Sequence, residues 1–350
     1  MTLRRLLITT FVAAFGFGAV GALLYIHRTP PAAPATASAP AKDMIVDPQK
    51  PAPGDDQDNG DDKDSASKWP ADAGSPEQVM YAQGQLMQKA IDQLTPRRQG
   101  HPNLYMVGFA GDGDQNVFRN EVEFVQRQFD QRFDSAGHTL VLVNSPDTLN
   151  TAPLASLSNL QSAVDAVDER MDPEQDILFL FLTSHGSREH EIYVGLDPLP
   201  LDQIAPDDLS DLFADTHIKY RVIVISACYS GGFIDAVKND TTMVITAARE
   251  DRASFGCSAD SDITDFGRAF FVDGLNHNDN FSAAFTEAAH LVDSWETRND
   301  EEHSFPQFVT TPKIDAQLKA WRTGIHLGPP LPFKTAVPKG EKVDSLTAMR

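Results

Sequence analysis

Two uninterrupted apolar runs stand out in a chain where hydrophobic and polar positions otherwise alternate, and each run ends at a residue with chemistry. In "DILFLFLTSHGS" seven strand-forming residues lead to His185-Gly186, and in "RVIVISACYSGGF" a similar run leads to Cys228 and then Gly231-Gly232. Short apolar runs of this kind, rich in β-branched and aromatic residues, predict strands buried on both faces of a parallel sheet. Further strand signals are "NLYMVGFA", which runs into the turn "GDGDQN", then "HTLVLVN" and "TTMVITAA". "EIYVGL" predicts a short strand or hairpin arm. Helical spacing separates these runs. Phe118, Val122, Val125, Phe129 and Phe133 fall at steps of three and four, as do Leu157, Leu160, Val164 and Val167, and later Phe281, Phe285, Ala288, Val292 and Trp295. "APDDLSDLFADT" predicts a helix with an acidic first turn, and Ser230 to Val237 another. The alternation predicts an α/β fold with a doubly wound, mainly parallel sheet flanked by helices.

The ends of the chain show a different pattern. Residues 6–26 carry no charge and come directly after Arg4-Arg5. A helix of that length spans a hydrocarbon core of about 30 Å, and basic residues before it favour export of the chain beyond it. Residues 1–27 therefore predict a transmembrane signal-anchor. The rival reading is a cleaved signal peptide, with Ala37-Ser38-Ala39 as the processing site and a secreted product. Residues 28–74, Pro/Ala-rich and then acidic, hold too few large apolar side chains to fold alone and predict a flexible stalk. Residues 75–324 form the expected catalytic domain, and 325–350 a flexible tail. The expected location is the cell membrane, single-pass, with the domain on the outer, periplasmic or extracytoplasmic side. A formal net charge of −21 excludes a nucleic-acid partner, since a polyanion gains nothing by meeting it.

Working groups of open parallel sheets gather at the carboxyl ends of the strands. There His185 and Cys228 can meet: a thiolate is an effective nucleophile, and an imidazole can take its proton and pass one to a leaving amine. Gly186 permits close backbone approach, and amides beside both residues can hold an oxyanion. No metal or organic cofactor is required. Cys257, the only other cysteine, reads as a loop or pocket-wall residue. Ser230 falls inside the predicted helical turn. The ligand spacing of "HGSREHE" does not suit a metal, and "GDGDQN" lacks the glycines of a dinucleotide loop.

"LFLTSHGS" followed by "VIVISACYSGG" resembles the legumain-type (asparaginyl endopeptidase) cysteine peptidases of the caspase-like group, with "TAAREDRASFGCSADSDITDFGRAFF" similar to the pocket region of bacterial members. The resemblance implies Cys228 as nucleophile, His185 as general base and acid, and the amides of Gly186 and Cys228 as oxyanion hole. It further implies Arg119, in "NVFRNE", and Asp265 as contacts to the P1 side chain, with Asn or Asp preferred there. Two departures stand out. Legumains carry acids two residues before and one after the nucleophile, where this chain has Ser226 and Tyr229. They also place an asparagine two residues before the pocket arginine, where this chain has Val117. Ser226 joins Arg119 and Asp265 in the expected substrate-binding set. The implied function is peptide or protein hydrolysis through a thioester. Two alternatives stand beside it: an inactive binding module on the same scaffold, and a transpeptidase using the same dyad.

Overall fold

A computed structural model describes residues 69–70, 72–258 and 261–335, all within one compact unit. A six-stranded sheet in the order β2-β1-β3-β4-β5-β6 runs through it. Its strands are β1 (Leu104–Ala110), β2 (Thr139–Val143), β3 (Ile177–Thr183), β4 (Tyr220–Ser226), β5 (Thr242–Thr246) and β6 (Gln307–Val309). The first five are parallel and β6 is antiparallel to β5. The chain leaves β1 for one edge of the sheet and returns to β3 on its other side. This reversal is the switch point at which doubly wound sheets open a crevice.

The two apolar runs are β3 and β4, and their register shows why neither strand tolerates a polar break. Phe179 and Phe181 of β3, with Val222 and Val224 of β4, belong to one core; Leu178, Leu180, Ile223 and Ile225 belong to the core on the opposite face. Helices cover both faces. The first core is closed by α2 (Asn116–Gln131), α8 (Phe281–Asn299) and α9 (Pro312–Gly324). It also packs a helical segment in which α6 (Asp265–Gly267) and α7 (Leu275–His277) are joined by a π-helical stretch, Arg268–Gly274. The second core meets α1 (Pro76–Ile91), α3 (Leu157–Asp168), α4 (Pro206–Asp211) and α5 (Ile234–Val237). Local signals set the helix starts. Ser75 and Gln78 form a capping box around Pro76, Ser156 caps α3, and Thr311 caps α9 ahead of Pro312.

Three expectations change. "EIYVGL" forms isolated bridges, Gly186 to Ile192 and Ile192 to Ile204, and no continuous strand. The domain boundary expected at residue 324 falls inside packed structure. Leu327, Leu331 and Phe333 lie against the first core, and the Arg132 guanidinium donates to the carbonyl of Gly328 at 2.8 Å. At the other end, Trp69 packs beside the buried Ala73, so the packed unit also begins before residue 75. Residues 6–26, which carry the expected anchor, lie outside the described residues, as does most of the stalk. Among the described residues no helix is long and apolar enough to cross a membrane.

Candidate active site

At the carboxyl edge of the sheet, Ala110, Thr183 and Ser226 are register partners on the neighbouring strands β1, β3 and β4. The ladder continues one residue further, with Gly111 N–H donating to Thr183 O and Ser184 N–H to Ser226 O. The next residue on each chain is Asp112, His185 and Cys228. Asp112, His185 and Cys228 therefore each stand two residues past the end of one of three adjacent strands, with the Tyr193–Gly195 segment bonding in between beyond the ends of β1 and β3. The imidazole occupies the middle position.

Each neighbour of His185 constrains it. Nε2 lies 3.5 Å from Oδ2 of Asp112, a side chain only 4% exposed. The Phe118 ring of α2 meets the imidazole edge-on at 5.1 Å between centroids. The backbone of His185 is tied by Tyr193 N–H to its carbonyl. With Nε2 facing Asp112, Nδ1 is the ring nitrogen left over. Glycine at 186 is a steric requirement, because a Cβ there would come within 2.1 Å of the Cys228 carbonyl oxygen.

The Cys228 sulfur is surrounded by donors. It accepts from Ser254 N–H at 3.2 Å and donates to Ser254 O at 3.4 Å. A hydrogen bond from the Cys257 thiol holds Cys228 below the ordinary thiol value. The amides of Ser254, Gly186 and Cys228 itself help, against the opposing effect of burial. Cys257 is pushed the other way, first by that same hydrogen bond and then by burial. Both cysteines are free thiols. The chain turns away sharply after Cys228: Tyr229 adopts a left-handed φ of 55°, a costly conformation for a side chain of this size.

Beside the sulfur is a cavity of about 10 Å³ lined by Ser184, Ser226, Ala227, Cys228, Ser254, Phe255, Cys257 and Thr264. It has room for about one water molecule. Ser226 thus sits in the cavity wall, its hydroxyl 3.0 Å from that of Thr264. Asp265 lies behind the wall, its amide bonded to Phe255 O and its carboxyl raised by burial first and by Glu301 second. Arg119 is not among the lining residues. Its guanidinium meets Glu123 at 2.9 Å and Asp147 at 3.0 Å, on the outer side of the first turn of α2.

Replacing Cys257 with alanine removes the largest cause of the lowered Cys228 value. We expect the pH midpoint of Cys228 alkylation by iodoacetamide to move upward in Cys257→Ala and to return most of the way in Cys257→Ser, which keeps a donor. An unmoved midpoint would mean that the three backbone amides hold the sulfur unaided.

Sequence reasoning passed over Asp112, Phe118, Ser254 and Thr264. Asp112 had a readable signal, since it stands two residues past its strand, as His185 and Cys228 do past theirs.

The profile of the peptidase C13 family matches residues 158–314, which contain His185, Cys228, Cys257 and Thr264. A solved structure titled "structure of pro-sf-caspase-1" is similar over 62% of this chain and 93% of that one, at 9% identity and a TM-score of 0.41. No curated protein matches the chain in sequence. Residues 158–314 thus match the peptidase C13 family, the legumain family, and the match indicates a cysteine-type peptidase.

Proposed function

We propose that the protein is a membrane-anchored endopeptidase that hydrolyses peptide bonds through Cys228 and His185. The carrying observation is that Asp112, His185 and Cys228 each stand two residues past the ends of the adjacent strands β1, β3 and β4, with Nε2 of His185 3.5 Å from Asp112 Oδ2. In this reading Asp112 fixes the imidazole through Nε2, and Nδ1 takes the thiol proton as sulfur attacks the scissile carbonyl. The developing oxyanion is held by the amides of Gly186 and Cys228, which are among the groups that hold the sulfur's value down. The imidazolium then protonates the leaving amine, and water resolves the thioester with the imidazole as base. Residues 6–26 anchor the chain, and Arg4-Arg5 ahead of them support an outward-facing domain.

Preference at P1 falls to the cavity beside the sulfur. Asn or Asp remains the proposed preference, with Ser226 and Thr264 as the nearest polar contacts. Arg119, committed to Glu123 and Asp147, would first have to leave those partners. The narrowness of the cavity favours one competing reading, a scaffold that binds peptides without cleaving them.

Full-length protein in detergent, under reducing conditions from pH 4 to 8, should cleave members of a peptide library varied at P1 and lose that activity in Cys228→Ala. Intact-mass analysis should place a peptidyl acyloxymethyl ketone on Cys228. Ligated products in the presence of a second amine would assign transpeptidation. Tight peptide binding with neither cleavage nor labelling would overturn the peptidase reading in favour of the scaffold.

A further inference from the structure

Glu121 is a carboxyl group with no role in the proposed hydrolysis, buried completely on the sheet-facing side of α2. Burying a carboxylate costs several kcal/mol unless partners compensate, so its surroundings should be built for it. They are. Thr264 N–H donates to Oε2 at 3.2 Å, and the hydroxyls of Thr264 at the N-cap of α6, Ser226 of β4 and Thr183 of β3 face the carboxyl, although Thr183 Oγ1 makes no hydrogen bond among the described residues. Position 267 is glycine, where a Cβ would come within 2.4 Å of the Glu121 carboxyl. Oε1 has no hydrogen-bond partner among the described residues. The groups packed against Glu121 are hydroxyls and amides, and no charged side chain is among the causes of its shift. Burial pushes it up to about 7, against the pull of those donors.

Two of the three hydroxyl residues facing Glu121 tie it to the cavity, because Ser226 and Thr264 also line it beside Cys228. Thr264 Oγ1 accepts from Gly267 N–H at 2.9 Å and lies 3.0 Å from Ser226 Oγ. An ionised Glu121 accepts and never donates, so the Ser226 and Thr264 hydroxyls that face it turn their protons towards it. Ser226 is left presenting lone pairs to the cavity.

We propose that Glu121 is the specificity-setting positioning residue of this cleft, orienting the Ser226–Thr264 hydroxyl pair so that the site takes hydrogen-bond-donating P1 side chains and turns carboxylates away. The proposal rests on the peptidase reading and adds a residue to it. The acid that legumains carry two residues before the nucleophile is serine here, and a carboxyl from α2 stands behind that serine. A side chain enters when the thiol leaves Ser254 for the imidazole, because the sulfur is itself part of the cavity wall.

The test uses full-length protein at pH 8 and three peptides that differ only at P1: Asn, Asp and Ala. Asn and Asp have nearly the same shape, so their kcat/KM ratio reads donor against carboxylate, and Ala serves as the internal reference for active fraction. Like-charge juxtaposition should favour Asn over Asp by about tenfold or more in the parent protein. Glu121→Gln keeps the size and removes the charge, and should narrow the ratio about fivefold or more, mainly by raising the Asp rate. A ratio that Glu121→Gln leaves unmoved, or a parent that prefers Asp, overturns the proposal. Failure of the peptidase reading would look different: Ala-peptide turnover would be absent, or would persist in Cys228→Ala. Even then, affinities of the three peptides for Cys228→Ala and for Cys228→Ala/Glu121→Gln, measured by fluorescence anisotropy, read the same ratio without chemistry.

Discussion

Cys228→Ala should cut kcat/KM for peptide hydrolysis by at least about 10⁴-fold while the protein keeps its fold. The side chain is small, and its sulfur borders a cavity of about 10 Å³, so truncation leaves space at the crevice and not in either core. His185→Ala should lose about 10² to 10⁴-fold, the usual share of a general acid–base group. The double variant should be no worse than Cys228→Ala alone, because an imidazole without its nucleophile has no proton to move. Asp112→Asn should fall between His185→Ala and the parent, since it keeps a polar contact to Nε2 but loses the carboxyl acceptor that orients the ring. Steady-state kinetics on one good substrate, with circular dichroism as a folding check, measures all four variants. Additive losses in the double variant would mean that the two residues act independently. Substantial turnover by Cys228→Ala would mean that the nucleophile lies elsewhere.

The sheet, and the places of His185 and Cys228 just beyond it, were readable because their signals are local. β3 and β4 announce themselves as unbroken apolar runs, and a strand buried on both faces admits nothing else. His185 and Cys228 stand just beyond those runs. The equivalent position beyond β1 holds Asp112, which the reading of "GDGDQN" as a turn concealed. Other features depend on distant parts of the chain. β6 has three residues and exists because β5 offers it an edge. Residues 325–335 look like a tail until Arg132 and Asn276, some 50 to 200 positions earlier, are seen to bind their backbone. Arg119 sits at the start of its helix as expected, yet the acids that hold it, Glu123 and Asp147, decide where it points. Glu121 falls beside Phe118 and Val125 on the stripe that marks α2 as amphipathic. Spacing alone does not separate a polar residue at the stripe's margin from one completely enclosed, and enclosure is what gives this carboxyl its altered chemistry.

Folding stability should therefore carry a component from Glu121 that is lost as pH rises. In the unfolded chain its carboxyl ionises near the ordinary 4.5, and in the folded chain near 7. Below pH 4.5 both states are protonated and the carboxyl's full contribution is present. Between the two values the unfolded state releases its proton while the folded state retains it, and each step upward favours unfolding. Above pH 7 the folded protein holds a buried carboxylate, and the accumulated loss is about 3 kcal/mol. Other acids, the half-buried Asp130 and Asp265 and the buried Glu296, shift in the same direction, so the parent's own pH profile does not isolate the effect. The difference between the parent and Glu121→Gln does. Urea unfolding at pH 5, 6, 7 and 8 should show the variant gaining on the parent as pH rises, by up to about 3 kcal/mol overall. Parallel profiles would place the Glu121 carboxyl in a solvated site and remove the electrostatic basis for its hold on Ser226 and Thr264. A rising difference, taken with a narrowed Asn-to-Asp ratio in the same variant, would mean that this buried charge lowers stability at neutral pH and sets selectivity beside Cys228.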